Sequence, residues 1–300
     1  MKKIIALIVI LIPLALLSQI PKGTIELKFN FQKGVKYELS YGADMSIKQT
    51  MLGQDVNVKM ITIFNYLMEV VKDSSSWKNV EATLTNIKTI VNTNGNSIVM
   101  DPESKDTSGP GAMSSKLFKA LKGTKFGFTV NKEGSMMNIT GFSEMRERMK
   151  KSLPDNPQVE LVLQGFDENA FKQSTEQLFG AYPSSPVKVG ESWQKTVKVV
   201  SRGMDVVSHD TYILEAVKNN EAVVRLTSTL TSDGPMIIPG GGEADAKMTG
   251  TKEATLHYNI ASGLQTLGDM KIKMDMNIKS NGMEIPMKMN MNIITKGNKL

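Results

Sequence analysis

The chain has 300 residues, of which 40% are hydrophobic and 22% charged, with 36 basic and 30 acidic side chains. This length predicts one or two domains, and the apolar fraction is sufficient for a folded core, which excludes a wholly disordered chain. The lack of cysteine in the sequence excludes disulfides, cysteine-ligated metals and thiol catalysis. With only two histidines, a metal site built on several imidazoles is not expected.

The first residues have the pattern of a secretory signal peptide. Lys2 and Lys3 precede the uncharged apolar stretch 4–17, and the small Ser18 follows it. The stretch is shorter than the ~20 residues that a membrane span requires, and Pro13 interrupts it. We therefore predict a signal peptide over 1–18, an exported protein in the periplasm or outside the cell, and no transmembrane span in the mature chain.

Most of the remaining sequence alternates apolar and polar residues. Such alternation predicts half-buried antiparallel strands, each with one side on a core and the other in solvent. In the first of them, Ile25, Leu27, Phe29 and Phe31 are apolar and the residues between them are polar. The predicted strands cover residues 25–31, 35–41, 56–71, 80–90, 126–130, 136–140, 197–217, 223–230, 254–260, 264–278 and 284–295.

The middle of the chain follows a helical period instead. Apolar residues at spacings of three and four predict two amphipathic helices over 142–153 and 168–179, and 114–121 adds a further helical turn. Stretches rich in Pro and Gly at 102–111 and 233–242 predict exposed loops. We predict a mainly antiparallel β (α+β) fold in which a large curved open sheet or half-barrel forms one β-rich domain over 19–300. Its two halves cover about 24–140 and 184–300, with a helical insert at about 142–183.

A β-hairpin near the C-terminus is predicted in residue detail. Ser280-Asn281-Gly282-Met283 is typical of a two-residue type I′ turn, which fixes the register and places Ile278 opposite Ile285. Continuing outward, one side of the hairpin consists only of apolar residues: Met270, Ile272, Met274, Met276, Ile278, Ile285, Met287, Met289, Met291 and Ile293. The other side pairs Lys279 with Glu284. Pro286 cannot donate a hydrogen bond to a third strand, which predicts a sheet edge at that point.

Three interpretations of this methionine-rich side are open. The first is an ordinary core. The second is a pliable wall for a lipid-like ligand, since methionine adapts to varied apolar partners. The third is a thioether site for Cu(I). Alternation with isoleucine and the lack of a nearby histidine in the sequence count against the metal, and we predict neither metal nor cofactor. The predicted ligand-binding residues are Met270, Ile272, Met274, Met276, Met287, Met289 and Met291, with Phe142, Met145 and Met149 as a lid.

No catalytic residue is predicted from the sequence. His209 and His257 lie at polar positions of predicted strands, and neither a Gly-x-Ser-x-Gly elbow nor a phosphate-binding loop is present. The basic residues form no stripe with interleaved aromatics, so nucleic acid is not an expected partner. A non-catalytic protein that binds a lipid or other apolar ligand is the favoured function. A structural or adhesion module of the cell envelope with a filled core is the alternative, and an extracellular hydrolase is the third.

One motif resembles a known family. The run Ala-Tyr-Pro-Ser-Ser-Pro-Val-Lys-Val-Gly-Glu-Ser-Trp at 181–193, with Lys33-Gly34-x-x-Tyr37 before it, resembles an uncharacterised family of exported bacterial β-rich proteins. This resemblance, over about 25–295, implies an exported β-rich domain and brings no catalytic residues. The architecture is also similar to the lipoprotein-carrier fold, an open curved sheet closed by helices around an apolar hollow. That analogy implies a lipid-like ligand.

Overall fold

The computed structural model describes residues 23–51, 53–74, 76–105, 108–109, 111–152, 168, 172, 179–201, 203–237, 242–280 and 282–300. The predicted signal peptide over 1–18 lies outside these residues. Most of the predicted helix over 168–179 also lies outside them. Of that helix, Glu168, Lys172 and Phe179 are described, and all three have helical backbone.

Fourteen strands and two helices have both of their bounds within the described residues. The first half contains β1 (Thr24–Ile25), β2 (Lys36–Met51), β3 (Gln54–Asp73), β4 (Trp77–Thr93), β5 (Asn96–Met100), α1 (Ala112–Leu121), β6 (Lys125–Asn131), β7 (Met136–Thr140) and α2 (Phe142–Ser152). The second half contains β8 (Val187–Lys188), β9 (Ser192–Ser201), β10 (Met204–Lys218), β11 (Glu221–Ile237), β12 (Glu243–Asn259), β13 (Gln265–Ser280) and β14 (Met283–Lys299).

Twelve of the strands form one antiparallel sheet. Its order is β7-β6-β4-β3-β2-β14-β13-β12-β11-β10-β9, and β5 adds to β4, while β1 and β8 pair separately. The two terminal strands β7 and β9 do not pair with each other in the described part of the chain, so the sheet is open. This confirms the predicted fold class, a mainly antiparallel open sheet with helices in the middle of the chain.

The strands are long enough for the sheet to have two distinct ends. We call the end where β2 begins and β14 finishes the base, and the end with the turns at 51–54, 201–204 and 280–283 the tip. Because side chains alternate across a strand, the register of the ladders keeps apolar residues on one side, which we call the inner face. The largest core cluster lies on the inner face at the base and includes residues of both halves, such as Phe128, Val130, Leu214 and Tyr258.

The segment predicted as the first strand, 25–31, is a different element. Only Thr24 and Ile25 are paired as β1, yet Leu27, Phe29 and Phe31 are buried in the predicted alternation. The segment crosses the base: the Phe29 amide donates to the Lys132 carbonyl at 2.8 Å, and the Asn30 amide to the Ser262 carbonyl at 2.8 Å. These two carbonyls lie in turns of opposite halves of the sheet, so the segment joins the halves and fills the space between them.

Aromatic rings complete the filling of the base. Phe31 stacks on Tyr37 with ring centroids 3.9 Å apart, and Phe179 meets Phe29 edge-on at 5.2 Å. The Tyr182 hydroxyl donates to the Gly263 carbonyl at 2.7 Å. The base is therefore a packed core, in which little of each large side chain is exposed.

Several strand boundaries differ from the predictions, and β11 runs to Ile237, through the first part of the loop predicted at 233–242. The predicted strand 197–217 is two strands, β9 and β10, because Gly203 has a φ of +80° that permits a tight turn. β2 continues ten residues past Tyr41 to Met51, and β12 begins at Glu243 rather than at 254. In both extensions the inner positions include alanine or glycine, which give a weak hydrophobic signal.

The register of the C-terminal hairpin is confirmed. β13 and β14 pair from Ser280 opposite Met283 through Met270 opposite Ile293, and the Lys279 ammonium lies 2.9 Å from Glu284. The sheet edge predicted at Pro286 is limited to that point: Pro286 has no partner in the ladder with β2, but from Met287 onward β14 is an interior strand. Pro286 lies one residue before that ladder begins, so its lack of an N–H removes no bond from it.

The close approach of Gly263 to the Lys28 carbonyl at the base predicts that Gly263→Ala strongly lowers the stability of the fold. Gly263 has a φ of +72°, and a Cβ there would lie 2.0 Å from the Lys28 carbonyl oxygen. We expect the free energy of unfolding, measured by urea titration, to fall by about 3 kcal/mol or more, because the crossing segment must move. Gly53→Ala is the matched control: its φ is +77° with nothing within 4 Å, and it should cost only about 1–2 kcal/mol. Equal losses in the two variants would contradict the role given to the crossing segment.

Candidate functional site

The inner face at the tip is apolar across four central strands. The ladders place Met60 of β3, Met45 of β2, Met291 of β14 and Ile272 of β13 in one row. We call the surface built from this row and its neighbours the methionine face. Its residues are Met45, Ile47, Val58, Met60, Met270, Ile272, Met274, Met276, Ile285, Met287, Met289 and Met291. All twelve are partly buried and none is fully buried, in contrast to the packed base.

The methionine face packs against a buried cluster on one side, and a second, helical cluster lies further along the sheet. Toward β12, buried residues such as Met204, Leu230 and Met248 contact its margin in a cluster at the tip. Toward β4, the helices α1 and α2 pack on Leu84 and Ile87. The face is therefore continuous with the packed cluster at the tip, and the helices cover the neighbouring strand β4.

The structure brings seven of the ten predicted ligand-binding residues together. Met270, Ile272, Met274, Met276, Met287, Met289 and Met291 all lie on the methionine face. Phe142, Met145 and Met149 lie on α2 and are buried in the separate cluster with α1 and β4. Whether any of the ten contacts a ligand stays a prediction.

The contribution of β2 and β3 to this face was missed by the sequence reasoning. Met45 and Ile47 continue the alternation of β2, and this signal is visible in the sequence beyond Tyr41. The pairing of β2 with β14, which places Met45 beside Met291, joins distant parts of the chain and has no local signal.

A buried polar cluster continues the same row on the other side of Ile272. Lys252 of β12 pairs with Ile272, and Ser228 of β11 and Asp210 of β10 follow in order. The Lys252 ammonium lies 2.9 Å from Oδ1 and 3.0 Å from Oδ2 of Asp210. Ser208 and Ser228 donate to Oδ1 at 2.5 and 2.6 Å, and the Tyr212 hydroxyl donates to Oδ2 at 3.2 Å.

The cluster keeps Asp210 ionised. Burial by itself raises the pKa of Asp210, but the charge of Lys252 and the hydrogen bonds from Ser208 and Ser228 outweigh it, so the pKa lies below its ordinary value. Burial, together with the negative charge of Asp210, raises the pKa of Tyr212 far above its usual range. The phenol therefore stays a hydrogen-bond donor.

The remaining polar groups of the described chain form no comparable site. His257 Nδ1 lies 3.1 Å from Glu221, and His209 lies 3.3 Å from the Thr196 hydroxyl, both at positions that alternate with the buried inner residues. A cleft of about 400 Å³ at the base has a mixed lining that includes Gln32 and Asn259. Among the described residues, no group of three or more acidic or histidine side chains is arranged to hold a metal ion.

The chain belongs to a family of unknown function, DUF6263, whose model matches residues 75–265. This match confirms the expected membership of a family without an assigned activity. No curated protein matches the chain. None of the described helices is long and apolar enough to cross a membrane.

Several solved structures share a weak similarity with the chain. One, described as lipid–protein interactions in lipovitellin, has 11% identity and a TM-score of 0.46, and the match covers 90% of this chain and 26% of that one. OccK5 (OpdH) of Pseudomonas aeruginosa has 7% identity and a TM-score of 0.28, over 88% of this chain and 98% of that one. This chain thus spans about a quarter of the lipovitellin chain, and similarities of this size assign neither fold nor function.

The polar cluster predicts that Asp210→Ala is strongly destabilising. It leaves the Lys252 ammonium without its buried partner, which should lower the free energy of unfolding at pH 7 by about 3 kcal/mol in a urea titration. Because the pKa of Asp210 is depressed in the folded state, its stabilisation is present above the unfolded-state pKa of about 3.9 and is lost as the pH falls through the folded value. The difference between wild type and variant should therefore narrow below pH ~4.

Asp275→Ala is the control for this prediction. Asp275 forms an exposed pair with Lys288 at 3.9 Å, and its removal should cost less than about 1 kcal/mol. If Asp210→Ala lowered the free energy of unfolding as little as Asp275→Ala does, the buried pair of Asp210 and Lys252 would not stabilise the fold.

Proposed function

We propose that the mature chain is an exported, non-catalytic protein that binds a lipid or other apolar ligand on the methionine face. The observation that supports this is a continuous apolar surface of twelve residues that stays only partly buried on the inner side of the sheet. Covering apolar surface releases about 25 cal/mol per Å², and a contiguous apolar patch is typical of a binding site. A ligand would supply the cover that the protein does not.

Methionine supports a ligand of variable shape. Its unbranched, polarisable side chain adapts to irregular apolar surfaces, whereas branched residues hold a fixed shape. Eight of the twelve residues of the face are methionine, and they are spread over all four strands. Such a lining suits a flexible hydrocarbon better than a rigid ring system.

A structural or adhesion module of the cell envelope is the second candidate. The packed base, in which Phe29, Phe31 and Tyr37 are fully buried, is what a filled-core module requires. The two candidates differ at the tip, where only the binding protein needs its apolar side chains to accept a partner.

The binding proposal predicts the effect of one charge placed on either side of the same strand. Met289→Lys puts an ammonium in the centre of the methionine face, whereas Asn290→Lys puts it on the opposite, exposed side of β14. The neutral dye 1-N-phenylnaphthylamine should bind the wild type and the Asn290 variant and lose at least tenfold in affinity to the Met289 variant. Circular dichroism should give the wild-type spectrum for both variants, which is the control for folding.

The outcomes separate the candidates. If the wild type binds no apolar dye and solvent extraction of the purified protein recovers no lipid, the module is favoured and the binding proposal fails. If Met289→Lys binds the dye as the wild type does, the ligand site lies elsewhere.

Export predicts the N-terminus of the mature protein. The chain expressed in a bacterium with its own leader should be recovered outside the cytoplasm, with an intact mass that begins at Gln19. Leu7→Arg introduces a charge into the apolar stretch and should leave the full-length precursor in the cytoplasm. Full-length protein in the cytoplasm for the wild type would contradict export.

A further inference from the structure

We propose that the ligand is a single-chain lipid with an anionic headgroup, whose head meets the Lys252 ammonium and whose chain lies along the row from Ile272 to Met60. This inference rests on the proposed function and adds the chemical class of the ligand. Three features of the described structure support it: the place of the ion pair, the accessible end of that pair and the length of the apolar row.

The ion pair lies at the margin of an apolar surface. Lys252 occupies an inner position of β12 whose partner on β13 is Ile272, the first residue of the row. Desolvating two charges costs several kcal/mol per ion, and apolar residues of similar volume often give equal or greater stability. A buried ion pair that lies beside a binding surface and holds the Asp210 pKa below its ordinary value is therefore a candidate for ligand recognition.

The accessible end of the pair is its cation. The Asp210 side chain is 1% exposed and receives hydrogen bonds from two serines, a tyrosine and the lysine. The Lys252 side chain is 13% exposed, and its ammonium has three N–H donors, of which Asp210 uses two directions. Lys252 is thus the more accessible partner of the pair and lies between the methionine face and the carboxylate, which is shielded two strands further on.

Other charges do not reverse this polarity. Lys195 lies on the far side of Asp210, and its ammonium donates to the Gly180 carbonyl. Glu133 interacts electrostatically with Lys195. Lys195 is on β9 and Lys252 is on β12, so their backbones are three strands, or roughly 14 Å, apart. In the described parts of β2, β3, β13 and β14, no inner position carries a carboxylate. An anion is therefore the charge that this side of the cluster accepts.

The row has the length of one acyl chain. From Lys252 it passes Ile272, Met291 and Met45 to Met60, one residue on each successive strand. Four steps between neighbouring strands span ~19 Å. One leaflet of a bilayer has a hydrocarbon thickness of roughly 15 Å, half of the ~30 Å core. The row between the strand positions of Lys252 and Met60 is thus of the same order of length as one extended acyl chain.

The test compares three ligands that share one chain length and differ in the charge of the head. Palmitate, monopalmitoylglycerol and hexadecylamine are titrated at pH 8 against the wild-type mature protein loaded with 1-N-phenylnaphthylamine. We expect palmitate to displace the dye with an affinity roughly tenfold or more higher than that of the neutral glyceride, since hydrogen bonds between charged groups are stronger than those between neutral ones. The amine should bind more weakly than both.

Variants then assign the preference to Lys252. Lys252→Met alone leaves a bare buried carboxylate, so we choose the neutral pair Asp210→Asn/Lys252→Met, which should fold and bind palmitate and the glyceride equally. Lys273→Met removes one positive charge from the opposite, exposed side of the neighbouring strand β13 and should keep the preference.

Each result has one meaning. Equal binding of all three ligands by the wild type overturns the headgroup site and leaves the proposed function standing. Binding of none of them overturns both. A preference for palmitate that persists in the folded double variant excludes Lys252 as its source.

Discussion

The structure depends on one geometric constraint: strands of 15 to 20 residues, interrupted only by local register shifts, place every second side chain on the same side of one sheet. The ladders preserve this alternation from β4 to β10, and the apolar side chains of both halves therefore face one another across the curve. A sheet of this width needs filling on its inner side. The rest of the fold is the way in which the chain provides that filling.

The filling is unequal along the strands. At the base, the crossing segment contributes Leu27, Phe29 and Phe31, and the residues around Tyr182 add further rings. Beside β4, the two amphipathic helices α1 and α2 fill the inner side of the sheet. At the tip, the central strands carry flexible methionines that keep part of their surface exposed. The contrast between rigid, stacked rings at one end and pliable thioethers at the other separates a structural region from a surface suited to binding.

Local pattern was sufficient to predict what depends on neighbours in sequence. The turn at 280–283 and its alternating flanks specified the whole hairpin register, and the inward side of Met274 and Met289 followed from it. Features that depend on distant residues were not accessible. The interior place of β14 arises from its pairing with β2, and the cluster of Asp210 with Lys252 arises from three adjacent strands whose order the sequence does not state. Inner positions occupied by glycine and alanine, such as Ala246 and Gly250, concealed the true length of β12.

The pairing of β14 with β2 determines when folding can be completed. It unites the last long strand with the first one, so the centre of the sheet is assembled from contacts of very large separation along the polypeptide. Closing so large a loop is entropically expensive, and topologies rich in such contacts fold slowly. The nascent chain can form its separate meanders early, but the two become one sheet only after synthesis has reached β14. Until then the edges of β2 and β13 are unprotected, and their apolar sides are the part of the molecule most prone to mispairing.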